Sequence, residues 1–496
     1  MVVQAFTHSY VKEPLYMPPL IRKVTFYTTI TIGLLSSISI ALYLYGSQST
    51  LPPKFTVAGW RVGGMPYDTF EQQYEERLER LSAFPIQLQT SYPDIANRQL
   101  TLGQLGVEYH DDALTQSMAQ LFKASPFQRI KARWELRQAD IPLEVTVNDE
   151  QLSAAVKEAW KDLYNQQPAP AKRIVTSQDT LNYEPEHKVL RIDTIHLGEH
   201  LQEVAPSISY IYNAAPVRLT LPLYEQGPTV TVATLKQQGI DRKISEFTTT
   251  FPASGEGRIH NIRSTAASIQ DLLMAPGETF DYSKIIAQTE TQFGYKEAPV
   301  ILNGKLVPGI GGGICQVSTT LYNAVLRSGL AIVERRNHSL PVSYVTLGQD
   351  ATFANGYINF KFRNNTDAYL LIRTVTTDRD VTVKLFGHMS PSISYDIESN
   401  IIETIQPPIK YLHNTTLAPG ATRPISKGKA GYKVETYRIK RENGVFVSKE
   451  LVSKDQYSPV PTLVASNRGD IKPELGDTPE SPQPILEDGV KGPSFR

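Results

Sequence analysis

Hydrophobic positions along this chain follow distinct periods, and each period marks a different kind of element. From Val24 to Tyr45 no residue is charged (VTFYTTITIGLLSSISIALYLY), and a helix of that length can cross a bilayer core of about 30 Å. Apolar residues recur at helical spacing over Tyr67–Leu81, Asp112–Phe122, Asp149–Asn165, Asn261–Leu273 and Gln316–Leu326. Alternation at every second position predicts strands at Phe55–Val62, Pro85–Thr90, Val189–Ile195 and Leu330–Glu334, with Leu100–Tyr109 a short extended piece broken by glycines. Farther on, Tyr432–Lys440 and Val445–Lys454 flank Glu442-Asn443-Gly444, and an Asn-Gly pair between two alternating runs predicts a hairpin.

The order of these elements predicts an α+β multidomain chain. An extended piece followed by a helix occurs near Leu100–Phe122 and returns about 90 residues later, a weak internal repeat of a small α+β unit. Gly227–Pro252 reads as a connector, and a denser α+β domain begins near Arg258. From Ser390 the pattern is mostly β, and after Arg468 the polar, proline-rich tail reads as disordered. Arg22 and Lys23 stand before the uncharged run and the next positive charge after it is Lys54, so the positive-inside rule places residues 1–23 in the cytoplasm and the bulk of the chain outside. A cleaved signal peptide shares this layout, but the long preceding segment and the lack of a clear small-residue cleavage site favour an uncleaved anchor.

Composition then narrows the chemistry. Lys+Arg is 50 and Asp+Glu is 50, which removes the electrostatic argument for a nucleic-acid binder. The chain holds one cysteine, Cys315, so neither an intrachain disulfide nor a cysteine-built metal cluster is available. His196-Leu197-Gly198-Glu199-His200 matches the H-x-x-E-H zinc-peptidase pattern, yet Gly198 interrupts it and no third ligand follows, so no metal and no cofactor are expected. Neither a P-loop nor a GxGxxG dinucleotide motif is present, and the carboxylates have no spacing that marks a glycosidase pair.

The informative stretch is Val307–Arg336 (VPGIGGGICQVSTTLYNAVLRSGLAIVERR), followed by Asn337-His338-Ser339. Glycines lead into a helical pattern, which puts Cys315 near a helix N-terminus, where free N–H groups and the macrodipole favour a thiolate. The same N–H groups could hold an oxyanion. A helix and a returning strand can bring His338 back beside the helix start as a base, with Asp350 or Asn337 to orient it. Against this stands the plain reading of a lone cysteine as a small buried hydrophobe.

Several stretches resemble the VanW family, which takes its name from vancomycin B-type resistance clusters. They are Asn261-Ile262-Arg263, Pro276–Phe280 (PGETF), Gly294-Tyr295 and Gly311–Asn323 (GGGICQVSTTLYN), continuing through Glu334-Arg335, His338-Ser339, Tyr344 and Gly348–Thr352 (GQDAT) to Phe362 and Asn364. Tyr357-Ile358-Asn359 departs from the pattern, since relatives often carry an acidic residue there. Residues 55–230 resemble peptidoglycan-binding repeats that often precede this domain, and residues 396–466 resemble a G5 domain. The implied layout is a cytoplasmic tail (1–23), a transmembrane helix (24–45), α+β repeats (55–230), an α+β VanW-like domain (258–388), an all-β G5-like module (396–466) and a disordered tail (467–496).

Some VanW-domain proteins are assigned as L,D-transpeptidases that use the motif cysteine. Carried onto this chain, the resemblance implies Cys315 as nucleophile and His338 as base, and Asp350, one of the two candidates to orient that base, joins them in the expected catalytic set. Gly312, Gly313, Gln316, Ser318, Thr319, Arg335 and Arg336 are then the candidate substrate-binding residues. Within that set, the Gln316 and Ser318 N–H groups would be the oxyanion donors, and Arg335 or Arg336 would hold a substrate carboxylate. The partners implied are peptidoglycan stem peptides and glycan, and the cytoplasmic membrane through residues 24–45. A non-catalytic wall-binding scaffold and a cysteine hydrolase are the rival readings.

Overall fold

The structure is a computed structural model and describes residues 19–251, 254–302, 305–468 and 485–491. The chain forms two compact units, residues 1–169 with 187–228, and residues 170–186 with 229–496.

The first unit starts with the helix Pro19–Gly46, whose segment Leu20–Gly46 is long and apolar enough to cross a membrane. Most of its Thr and Ser hydroxyls bond back to carbonyls one turn earlier, as Thr29 does to Thr25 and Ser37 to Gly33, which lowers the cost of carrying them into an apolar phase. The Phe55–Val62 run is two short strands, Thr56–Val57 and Trp60–Arg61, closed by Ala58 and Gly59 at positive φ. Tyr67–Ser82 and Asp112–Phe122 are helices as the spacing predicts, and Asp149–Asn165 is a helix interrupted at Trp160. The strand Val107–His110 leads into the helix Asp112–Phe122, and the strand Val189–Ile192 leads into the helix Thr194–Val204, which is the order of elements behind the apparent repeat. The helix Pro126–Leu136, held by a Ser125–Gln128 capping box, escaped the periodicity because its exposed face carries Phe127 and Trp134.

In the second unit, part of the supposed connector is structural. Arg242–Thr250 is an edge strand of a four-stranded antiparallel sheet, followed in order by Asp380–Gly387, Leu370–Thr376 and Leu272–Met274. Its alternation is carried largely by Thr and Ser, which β-structure favours but a hydrophobic pattern does not register. The predicted helix at Asn261–Leu273 is displaced: the helix is Glu256–Ser268, and Leu272–Met274 has turned into the sheet after Asp271 at positive φ. The helix Ile314–Leu326 lies on that sheet, and all of its residues are buried. Most of its polar members are satisfied, Thr320 by Gln316 O and Thr249 Oγ1 and Asn323 by Thr319 O and Gln349 O, while the buried Tyr322 hydroxyl has no partner.

The β-rich region opens with the three-stranded sheet Ile393–Ile405, Gly431–Glu442 and Val445–Tyr457, whose hairpin turns on Asn443 and Gly444, both at positive φ. A second sheet pairs Ile409–His413 in parallel with Thr462–Ser466, which also pairs with Thr422–Ser426. The expectation of a disordered tail fails over residues 485–491. Leu486–Glu487 adds a third strand to the hairpin Glu297–Leu302 and Lys305–Ile310. The remainder of that tail, 469–484 and 492–496, lies outside the described residues, as do most of residues 1–23.

Candidate functional site

Three glycines set the start of the Ile314–Leu326 helix. A Cβ on Gly312 would meet Pro299 O at 2.3 Å, and Gly311 and Gly313 hold φ of 94° and 110°, a region that side chains disfavour. Asn261, buried on the Glu256–Ser268 helix, clamps this turn by donating to Lys296 O and Gly312 O while accepting from Lys296 N. Cys315 thereby stands as the second residue of the helix, with its side chain directed into the core.

Three catalytic candidates meet there. His338 Nδ1 lies 2.7 Å from Asp350 Oδ2, and the same oxygen accepts the His338 backbone N–H. The choice left open by the sequence falls to Asp350, because the Asn337 amide donates to the carbonyls of His338 and Gln456 instead. His338 Nε2 is shielded from water and makes no hydrogen bond of ordinary geometry, yet the thiol and the imidazole lie close enough to shift each other's protonation. Cys315 Sγ accepts the Phe353 N–H at 3.0 Å and lies 3.6 Å from both Thr352 Oγ1 and Phe353 O.

The electrostatics divide the triad. Burial raises the Asp350 carboxyl, but the His338 bond and charge and the nearby Arg335 outweigh it and hold it down at about 2. Burial disfavours a charged His338, and Asp350 and Cys315 together more than reverse this, lifting it well above the ordinary imidazole range. The thiol goes the other way from the sequence expectation. Burial first, then the Asp488 carboxylate, push it above its ordinary value, and His338 and Thr352 recover only part of the shift. A helix N-terminus was expected to enrich the thiolate, but here its free N–H groups already serve another anion.

That anion is Asp488. Its Oδ1 accepts the N–H of Gly313 at 3.1 Å and of Cys315 at 2.8 Å, and its Oδ2 pairs with Arg258 at 3.1 Å. Beside it, Glu487 Oε2 accepts from Ser339 N and Oγ, and the hydroxyl of Tyr344 is buried without a partner. None of Arg258, Glu487 and Asp488 was singled out for a role from the sequence. Asp488 is 173 residues from Cys315, in a stretch whose composition reads as tail, and no local signal marks it.

Several assigned roles need correction. The Gln316 N–H points back to Gly313 O, its side chain is spent on Thr249, Thr250 and Arg258, and the Ser318 N–H falls where a helix pairs its own amides. The N–H groups of Gly313 and Cys315 hold the anion position in their place. Arg335 is no receptor for a substrate carboxylate: it is buried, bonds both oxygens of Asp455 at 2.6 and 2.7 Å, and reaches Asp350. Arg336 is exposed, and its carbonyl takes the Thr352 N–H. Ser318 and Thr319 both bond Ala351 O, which ties the helix to the Asp350 segment. That segment is also held from the β-rich region, where the Tyr457 hydroxyl donates to Asp350 and accepts the Gly348 N–H. Elsewhere, His196 and His200 do lie on one helix, but His196 pairs with Asp193, and among the described residues no group of three or more His, Cys, Asp or Glu could hold a metal ion.

Comparison with known proteins follows the same division of the chain. Family models match at residues 257–386 (VanW like protein), 397–466 (G5 domain) and 99–209 ("Putative peptidoglycan binding domain"). Uncharacterized protein YoaR of Bacillus subtilis is 35% identical over 36% of this chain and 59% of its own length. Vancomycin B-type resistance protein VanW of Enterococcus faecalis is 31% identical over 30% of this chain and 57% of its own. The chain thus spans less than two thirds of either relative. Among solved structures, the G5 domain of IgA1 protease is 34% identical, covering 16% of this chain and 93% of that one, with a TM-score of 0.13. This set of domains fits a cell-wall-associated protein. Residues 257–386 thus form a VanW-like domain, with a match to the G5 model after it and a match to the peptidoglycan-binding model before it.

Proposed function

We propose that this chain is a membrane-anchored cell-wall enzyme, an L,D-transpeptidase that crosslinks peptidoglycan stem peptides through Cys315. The observation that carries the reading is the meeting of a thiol, an imidazole and a carboxylate at one helix start, with Phe353 N–H on the sulfur and two further N–H groups on an anion. In this reading Cys315 reacts as the thiolate beside the protonated His338, and the sulfur attacks the carbonyl joining the stem's third residue to its terminal D-alanine. The C–N bond breaks, His338 returns the proton to the leaving amine, and a thioester remains on Cys315. A side-chain amine of a neighbouring stem then attacks that carbonyl, the amide forms, and the thiolate leaves and is reprotonated. Gly313 and Cys315 N–H are the donors that would face the developing oxyanion. Residues 20–46 would anchor the enzyme with its N-terminus in the cytoplasm, and the first unit and the G5 domain would hold it on peptidoglycan.

The test is mass spectrometry of the full chain incubated with tetrapeptide stems under reducing conditions. An acyl adduct confined to Cys315 is expected, absent in Cys315→Ala, with crosslinked dimers as product; trimmed monomers would make the enzyme a hydrolase. No adduct, in a chain whose thiol does react with iodoacetamide, sinks the reading.

The burial of Cys315 favours a second reading, a non-catalytic scaffold on the wall. In that case Cys315→Ala leaves the muropeptide profile of the cells unchanged, whereas deletion of the whole chain alters it.

A further inference from the structure

The segment 485–491 (Ile-Leu-Glu-Asp-Gly-Val-Lys) lies against the start of the Cys315 helix in the manner of a bound peptide. Leu486 and Glu487 pair antiparallel with Leu302 and Ile301, Val490 N–H bonds Ile310 O, and Lys491 O accepts the Ile310 N–H. On its other side, Asp488 N–H reaches Phe353 O and Gly489 bridges Ala354, so two neighbouring backbones hold the segment extended. Side chains then read the site: Glu487 on Ser339, next to His338, and Asp488 on Gly313, Cys315 and Arg258. Gly489 passes over Val300 so closely that a Cβ there would meet Val300 Cγ1 at 2.5 Å.

We propose that this groove is the binding site for an extended, carboxylate-bearing peptide, and that residues 485–491 occupy it as a resident strap that must leave before a substrate enters. Asp488 Oδ1 marks the seat of the substrate's carbonyl oxygen on Gly313 and Cys315 N–H. Oδ2 marks a neighbouring anionic group paired with Arg258, where the carboxylate of a C-terminal leaving residue would fall. That last step, from peptide groove to acyl-donor site, rests on the transpeptidase reading above. One observation besides the helix end points to an absent ligand: the Tyr344 hydroxyl is buried and unpartnered in the same cluster. The strap accounts for a thiol that is well equipped yet closed to solvent. Its departure would also remove a negative charge that keeps Cys315 protonated.

The experiment measures iodoacetamide labelling of Cys315 in the full chain. Two variants displace the strap for different reasons: Asp488→Asn removes its charge, and Gly489→Val forces a side chain against Val300. Both are expected to label at least tenfold faster than the wild type while keeping its circular dichroism. A synthetic peptide of residues 485–491 should restore protection to the Gly489→Val chain, and the same peptide with Asn in place of its Asp should not. Wild-type labelling rates in both variants overturn the proposal, as does equal protection by the two peptides. Loss of fold in both variants also overturns it, since the segment would then belong to the core. Labelling reads access and not turnover. A strap that opens onto a thiol forming no acyl adduct therefore breaks the transpeptidase reading and leaves this one standing, and an adduct formed at equal rates with and without the strap does the reverse.

Discussion

Each unit contains an imidazole bonded through Nδ1 to an aspartate. In the first, His196 and Asp193 lie 2.6 Å apart; in the second, His338 and Asp350 lie 2.7 Å apart. The pairs match in residue type and distance and differ in surroundings: His196 is 63% exposed and Asp193 29%, against 0% and 1% for His338 and Asp350. Two unit charges 4 Å apart gain about 1 kcal/mol in water and about 4 kcal/mol at an effective dielectric of 20. Asp193 is first of all a helix cap, accepting the N–H groups of Ile195 and His196, and its imidazole is incidental to that. Asp350 instead fixes an imidazole whose other nitrogen is left for a thiol. A histidine on an aspartate is therefore not a site by itself; burial, and a thiol beside the second nitrogen, distinguish one from the other.

The largest expected difference comes from removing the carboxylate charge in each pair. Asp350→Asn leaves His338 buried without its anion, while Arg335 keeps Asp455, and breaking such a buried pair costs about 3–5 kcal/mol. At about 2–4 °C per kcal/mol for a domain of this size, the Tm of the second unit should fall by roughly 6–20 °C. Asp193→Asn keeps the capping oxygen at an exposed site and should move Tm by no more than about 2 °C. Calorimetry decides, and equal shifts would break the comparison.

The pH response should separate the pairs next. Asp350 is held near 2, so its stabilisation is complete above about pH 4 and drains away as pH falls toward 2. His338 is lifted well above its ordinary value, so its contribution is complete below about pH 6.5 and is lost as pH rises through the raised value. Cys315 is also raised and adds a further loss once the unfolded thiol ionises, near pH 8.5 by model-peptide values of about that size. The second unit should thus be most stable between about pH 4 and 6.5, and His338→Gln should remove the first part of the alkaline decline. His196 is raised too, by Asp193, but in full contact with water; 1 M salt, with a Debye length of about 3 Å, should erase its effect and leave the His338 limb in place. Thermal scans across pH and salt test both statements.

What the sequence made legible was local. The glycine run before a helical pattern placed Cys315 at a helix start, and Asn443-Gly444 placed a hairpin, because each signal lies within a few residues of what it predicts. The triad was reachable because one helix and one strand separate Cys315 from His338. Partners far along the chain were not. Arg335 looked like a free cation beside a histidine, and only folding brings Asp455 to it across 120 residues. Asp488 looked like one acidic residue in a polar tail, and its role depends on a strand pairing that no periodicity announces. The strand Arg242–Thr250 was read as connector because its Thr-rich faces give little hydrophobic contrast, while its pairing with Asp380–Gly387 supplies the missing context.

The smallest effect puts the same contrast within one sheet. Tyr457 and Tyr437 each donate a hydroxyl to a carboxylate, Tyr457 to Asp350 and Tyr437 to Glu435. Tyr457 is buried and its hydroxyl also accepts the Gly348 N–H, so Tyr457→Phe strips one donor from Asp350 and leaves an amide unpaired. A hydrogen bond to a charged group contributes about 1.5–3 kcal/mol, which corresponds to a fall in Tm of roughly 3–12 °C. The acid limb should move upward in pH as well, because a carboxylate with one fewer donor is easier to protonate. Tyr437→Phe breaks a bond that water replaces and should leave both Tm and the acid limb where they are. An acid limb that moves in Tyr457→Phe would mean that the β-rich region helps set the charge of the candidate triad. If the limb stays still while Tm falls, Tyr457 supports packing alone, and the triad's electrostatics belong to the Cys315 helix and the Asp350 segment without help from the sheet.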